Sequence, residues 1–162
     1  MREILFRAKA INRDKGEHRT KYKNGDWVYG LITRPYKDMF PTLPMEFRNE
    51  NGVDGIEVDY KTVGQFTGLI DKNGKKIFEG DIVVTRYPKS GEICTIGDVQ
   101  FDCGVFGAEW TANKENKNMV GVWGQNHNLR RFDDDIIKII EVIGNIHDNP
   151  ELLKEEQNGD NT

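Results

Sequence analysis

Residues 62–84, TVGQFTGLIDKNGKKIFEGDIVV, limit the possible folds more than any other stretch, because they break an apolar chain twice within a few positions. Asp71-Lys72-Asn73-Gly74-Lys75 is turn chemistry. An Asp side chain can accept from its own backbone two residues on, and Gly74 can take positive φ without a Cβ penalty. The expected product is a hairpin with a loop of three to five residues. Glu79-Gly80-Asp81 breaks the chain again, and Ile82-Val83-Val84 then resumes with β-branched residues suited to a pleated, half-buried surface. Short antiparallel strands are therefore expected on both sides.

The rest of the chain has the same punctuation. Residues 3–10 alternate, with Ile4, Phe6, Ala8 and Ala10 on one face and Glu3, Arg7 and Lys9 mostly on the other, which predicts a half-buried strand. A polar run follows to Lys23 and is expected to be a loop; Asn24-Gly25-Asp26 then leads into Trp27-Val28-Tyr29-Gly30-Leu31-Ile32-Thr33, a second strand expected to pair antiparallel with the first. Pro35, Pro41 and Pro44 make residues 34–48 a loop or an edge segment. Clean alternation over residues 56–60 predicts a further strand. Residues 92–101 read as a long strand with a bulge at Gly97, followed by strands at 105–110 and 119–123. The apolar run IIKIIEVIGNI at 136–146 reads as a strand. Asp148-Asn149-Pro150-Glu151 predicts the start of a short helix running to Gln157, with Asn149 as its cap.

Three segments of this chain, REILFRA, TVGQFTGLIDKNGKKIFEGDIV and EVIGNIHDNPELL, lie at its start, middle and end. In order and separation they resemble the YopX-like family of bacteriophage and prophage proteins, over nearly the whole chain; residues 39–55 depart from its pattern. The resemblance implies an all-β fold with a small SH3-type β-barrel and the role of a phage accessory protein. It brings no catalytic or binding residues with it.

Pattern and resemblance together predict an N-terminal β unit over residues 1–75, an SH3-type barrel over 76–147, and a short helix with a frayed tail over 148–162. The hydrophobic share of 36% and the 17 Gly suit two modest cores better than one large one. Charge is uneven: residues 1–48 carry 11 Lys+Arg against 6 Asp+Glu, a net +5, and the remainder is −9. Such asymmetry fits self-association or a weak anion-binding face, and equally fits ordinary solvated strand faces. The opening MREILFRAKA is charged and too short for a signal or membrane-spanning run, so a cytoplasmic protein with no membrane partner is expected. Cys94 and Cys103 then read as thiols.

Sequence motifs for chemistry are weak. Asp71-Lys72-Asn73-Gly74 has its Gly too early for a calcium loop. Gly74-Lys75-Lys76 lacks the spacing of a phosphate loop. Three consecutive acids, Asp133, Asp134 and Asp135, cannot converge on one ion from a strand. His18, His127 and His147 are scattered. No catalytic, metal or cofactor site is therefore expected, and the chain reads as non-enzymatic. The residues that could form a partner-binding surface are Trp27, Tyr29, Trp110 and Trp123, with Arg130 and Arg131 as the best basic pair. Aromatic residues of this kind fill cores, but when exposed beside Arg or Lys they stack nucleic-acid bases or grip peptides. The leading expectation is a phage or prophage accessory protein that acts by self-association or by binding a host or phage protein. The alternative is nucleic-acid binding through the barrel aromatics and the basic first half.

Overall fold

The structure is a computed structural model, and it describes residues 3–11, 22–34, 45–49, 51–52, 55–102, 104–112, 129–132 and 134–153. It is built almost wholly from antiparallel strands and divides into two compact units, Met1–Phe66 and Thr67–Thr162.

In the first unit, strand β1 (Phe6–Ala10) pairs antiparallel with β2 (Trp27–Arg34), as expected from the alternation of the first segment and the β-rich composition of the second. β3 (Met45–Asn49) pairs with β2 and with β4 (Ile56–Ile70), and β4 pairs back onto β1. The four strands therefore close into a ring. Closure requires β4 to shift register, so that Lys9 faces Asp59 while Arg7 faces Gly64. The Thr62 hydroxyl secures the excursion, accepting from the Lys9 amide at 2.8 Å and donating to the Asp59 carbonyl at 2.7 Å. Inside the ring lie Ala8, Ala10, Val28, Phe47, Ile56 and Val58. A Cβ on Gly30 would overlap the Arg48 carbonyl oxygen, so β2 and β3 approach closely there. The expectation of a loop or edge over residues 34–48 is corrected for residues 45–48, which are paired on both sides, while residues 35–44 lie outside the described residues. Proline bars a ladder donor only at its own position, and β3 begins one residue after Pro44.

In the second unit the hairpin at residues 71–75 forms as the sequence predicts. The Asp71 amide donates to the Lys75 carbonyl at 2.8 Å, and Gly74 has φ +83°. The hairpin joins the end of β4 to β5 (Lys76–Phe78). Then come β6 (Asp81–Arg86), β7 (Ile93–Asp102), β8 (Val105–Ala112), β9 (Leu129–Arg131), a one-turn helix α1 (Asp134–Ile137) and β10 (Glu141–Asn145). Their sheet order is β10-β6-β7-β8-β9, antiparallel throughout. Both faces of β6 are covered, which is why it reads as a continuous apolar run. Val83 joins one core with Val99, Phe106, Ala108, Phe132, Ile136, Ile140 and Val142. Ile82 and Val84 join another, with Ile96 and the flanking Ile146, Leu152 and Leu153.

Three local expectations are corrected. Residues 136–140 are not strand: Ile136 and Ile140 stand four apart and enter the same core, and the Ile140 amide donates to the Ile136 carbonyl at 3.0 Å. That spacing belongs to a helical turn. Gly97 holds regular register between Val83 and Trp110, and the shift falls instead between Thr85 and Arg86, opposite Thr95 and Ile93. The C-terminal helix is a 3-10 turn over Pro150–Leu153, and Asn149 reaches back to accept from the Asn145 amide at 3.4 Å. The expected strand at 119–123 and the expected end of the helix at Gln157 lie outside the described residues.

Candidate functional site

Strand alternation sorts the first unit's side chains into an inner and an outer set. Because Arg7 lies opposite Tyr29 and Lys9 opposite Trp27, these four share the outer surface. Leu31 follows two residues on and lies opposite Arg48; Glu46 faces Glu57, and Asp59 faces Lys9. The outer surface thus carries Trp27, Tyr29 and Leu31 on β2, with Arg7 and Lys9 on β1 to one side, Glu46 and Arg48 on β3 to the other, and Glu57 and Asp59 on β4; Arg34 takes the register position opposite Glu46.

Within that set the Trp27 ring is already engaged. The Arg7 guanidinium carbon lies 4.9 Å from its centroid and the Lys9 ammonium 5.5 Å. Such contacts contribute on the order of 0.5–1 kcal/mol at partly exposed sites. Arg7 is buried, so this stack belongs to the frame of the barrel wall. Tyr29 and Leu31 differ from it: they are 40% and 48% exposed, side by side on β2.

The other residues singled out from sequence belong to the second unit. Trp110 lies opposite Gly97, and Arg130 and Arg131 take consecutive positions opposite Ala108 and Gly107. Arg131 is exposed; Trp110 and Arg130 are placed by backbone register alone, and Trp123 lies outside the described residues. Of the six, the structure brings together Trp27 and Tyr29. Leu31, Glu46 and Arg48 were not singled out from sequence. The signal for Leu31 was present in the period of two that links it to Trp27 and Tyr29, but both faces of WVYGLITR are apolar and alternation alone does not say which is outward.

Two carboxylates in the second unit are tuned by their surroundings. Asp71 is buried; its Oδ1 accepts from the amides of Asn73 at 2.8 Å and Lys75 at 2.9 Å, and its Oδ2 accepts from the Val142 amide at 3.0 Å. Burial pushes its pKa up, but the amides of Val142, Lys75 and Asn73 together outweigh that and hold it below the ordinary value. Glu141 is held low by hydrogen bonds from Lys72 and Arg86, at 2.8 and 3.1 Å. Both arrangements tie β10 to the neighbouring hairpin and to β6, so both are structural. On β7 and β8 the acids Asp98 and Glu109 face each other and share the amide of Gln100, at 2.9 and 3.1 Å. Among the described residues no group of three or more His, Cys, Asp or Glu could hold a metal ion, and no helix is long and apolar enough to cross a membrane. Cys94 is a half-buried free thiol, and Cys103 lies outside the described residues.

No curated protein matches the chain. Among solved structures, the crystal structure of protein EF1440 from Enterococcus faecalis is similar, with 24% identity and a TM-score of 0.51. The match covers 93% of this chain and 98% of that one, a likeness of fold. The family model described as YopX protein matches residues 8–154.

Proposed function

The chain belongs to the YopX protein family, and from that membership we propose a non-enzymatic accessory protein of phage or prophage origin that acts in the host cytoplasm by binding protein, foremost a second copy of itself. The observation that carries the reading is the exposed pair Tyr29 and Leu31 on the outer wall of the first unit. Aromatic and aliphatic groups held on a rigid strand pair lose little entropy when covered, which is what a protein-binding anchor requires. The second unit is read as an SH3-type barrel. Its strand order β10-β6-β7-β8-β9, with a short helix before the last strand, supports that assignment.

Nucleic-acid binding is the second reading, favoured by Trp27 lying between Arg7 and Lys9. Two facts weigh against it. The cations already cover the ring, and the same outer wall sets Glu46, Glu57 and Asp59 against Arg7, Lys9 and Arg48. Acids interleaved with bases along that wall do not make the continuous basic track that a phosphate backbone requires. Light scattering on the purified protein at low and moderate salt, with absorbance at 260 and 280 nm, decides between the readings. An oligomer free of nucleic acid supports protein binding. A monomer with co-purifying nucleic acid that salt strips away reverses the ranking.

A further inference from the structure

Among the described residues, strand β10 ends the second unit's sheet, with β6 on one side. An edge of this kind presents backbone donors and acceptors to any extended chain that meets it. Here those groups are taken by two turns. The Ile140 carbonyl accepts from the Lys72 amide at 3.1 Å, and the Val142 amide donates to Asp71 Oδ2 at 3.0 Å. Further along, the Asn145 amide donates to Asn149 Oδ1 at 3.4 Å, and the Asn145 carbonyl accepts from the Asn149 amide at 2.9 Å. Each turn therefore supplies one donor and one acceptor, the groups that a neighbouring strand would present at those positions.

Both turns are built for the task. The amides of Asn73 and Lys75 hold Asp71 Oδ1, which leaves Oδ2 for Val142, and Lys72 Nζ reaches Glu141 at 2.8 Å. At the other end Gly144 admits Asn149, because a Cβ there would lie 2.7 Å from Asn149 Oδ1. The guarded segment, IIEVIGNI at 139–146, has five β-branched residues and a single charge. Segments of that composition pair across chains when their edges are open. We infer that Asp71–Lys72 and Asn149 are edge caps, and that the strand they exclude is β10 of a second copy. Identical strands meet antiparallel about a twofold axis, so the same edge groups serve both chains. β10 is already extended against β6, so the pairing orders little new backbone. The inference concerns the second unit and does not depend on the outer wall of the first.

The test uses the full chain and the variants D71A, N149A and their combination, each checked for fold by far-ultraviolet circular dichroism. D71A uncaps Val142 and also loosens the turn that carries Lys72, because the same carboxylate holds the amides of Asn73 and Lys75. Sedimentation should give the combined variant at least double the wild-type mass at the same concentration. Its Val142 amide should exchange at least about tenfold more slowly at high protein concentration than at low, as the N–H enters a ladder between chains. The wild type should show no such dependence at Val142. D71N, which keeps an oxygen for the turn, carries the same exchange measurement if the combined variant loses its sheet signal. V99A, a truncation in the core of the same unit that leaves both caps in place, should keep the wild-type mass. Folded uncapped variants with the wild-type mass and concentration-independent exchange overturn the inference. So does association that V99A shares, which would come from lost stability, or association that leaves Val142 unprotected, which would come from another surface. A monomeric wild type removes the proposed self-association and leaves this inference standing.

Discussion

Replacing Asp71 should unlock the second unit, because one side chain joins two segments that are 71 residues apart. Its three acceptor bonds divide by environment. The amides of Asn73 and Lys75 lie in an exposed turn, where water can replace the carboxylate at small cost. The Val142 amide is in a buried contact, and orphaning it costs about 1–3 kcal/mol on top of the lost charge-assisted bond. The sum for D71A is about 3–5 kcal/mol, a large part of the roughly 5–15 kcal/mol that holds a domain together. D71N keeps one oxygen for the turn but sets an amide donor against the Val142 amide, so it should lose about 2–3 kcal/mol. The folded pKa of Asp71 lies below the ordinary 3.8, so its contribution is complete above that value and is lost as pH falls through the folded pKa. Wild type and D71A should therefore differ by a constant amount near neutral pH, and the difference should narrow below about pH 4 to the part that comes from the orphaned Val142 amide. Urea unfolding followed by circular dichroism gives the difference, and amide exchange at Val142 locates it. A change below about 0.5 kcal/mol for D71A, or unchanged protection at Val142, would refute the reasoning.

The remaining predictions concern packing and surface charge. G30A should destabilise the first unit by more than about 2 kcal/mol, because the obstacle is the Arg48 backbone and not a movable side chain; amide exchange over β2 and β3 should rise while the second unit is unaffected. G144A would place a methyl 2.7 Å from Asn149 Oδ1 and 3.0 Å from Leu152 Cδ1, so the Pro150–Leu153 turn should detach, with a loss of about 1–3 kcal/mol in thermal unfolding. E141Q should cost no more than about 1 kcal/mol, since its bonds to Lys72 and Arg86 are partly exposed, and the loss should shrink further in high salt.

How much of this was legible in the sequence depended on the range of the interaction. The 71–75 hairpin was readable because Asp71, Asn73 and Gly74 act on their own neighbours. Strand β1 was readable because its apolar residues alternate, and β2 because aromatic and β-branched residues follow the turn signal at Asn24-Gly25-Asp26. The closing of the ring was not, since the pairing of Arg7 with Gly64 depends on a register shift that leaves no local pattern. β3 was hidden behind Pro44, and α1 within a β-branched run whose two core residues happen to be four apart. The bond from Asp71 to Val142 is beyond any window of sequence. For the site, Trp27 and Tyr29 were visible as aromatic residues on a strand. Leu31 and the Glu46–Arg48 alternation became meaningful only once the ring fixed which face is outward.

The most direct test of the account is sedimentation equilibrium of the wild type beside L31D over a micromolar concentration series. The account predicts that the wild type approaches twice 18.6 kDa as concentration rises, and that L31D remains at 18.6 kDa with unchanged circular dichroism. A wild type that stays at the single-chain mass throughout, or an L31D protein that associates as the wild type does, would contradict it.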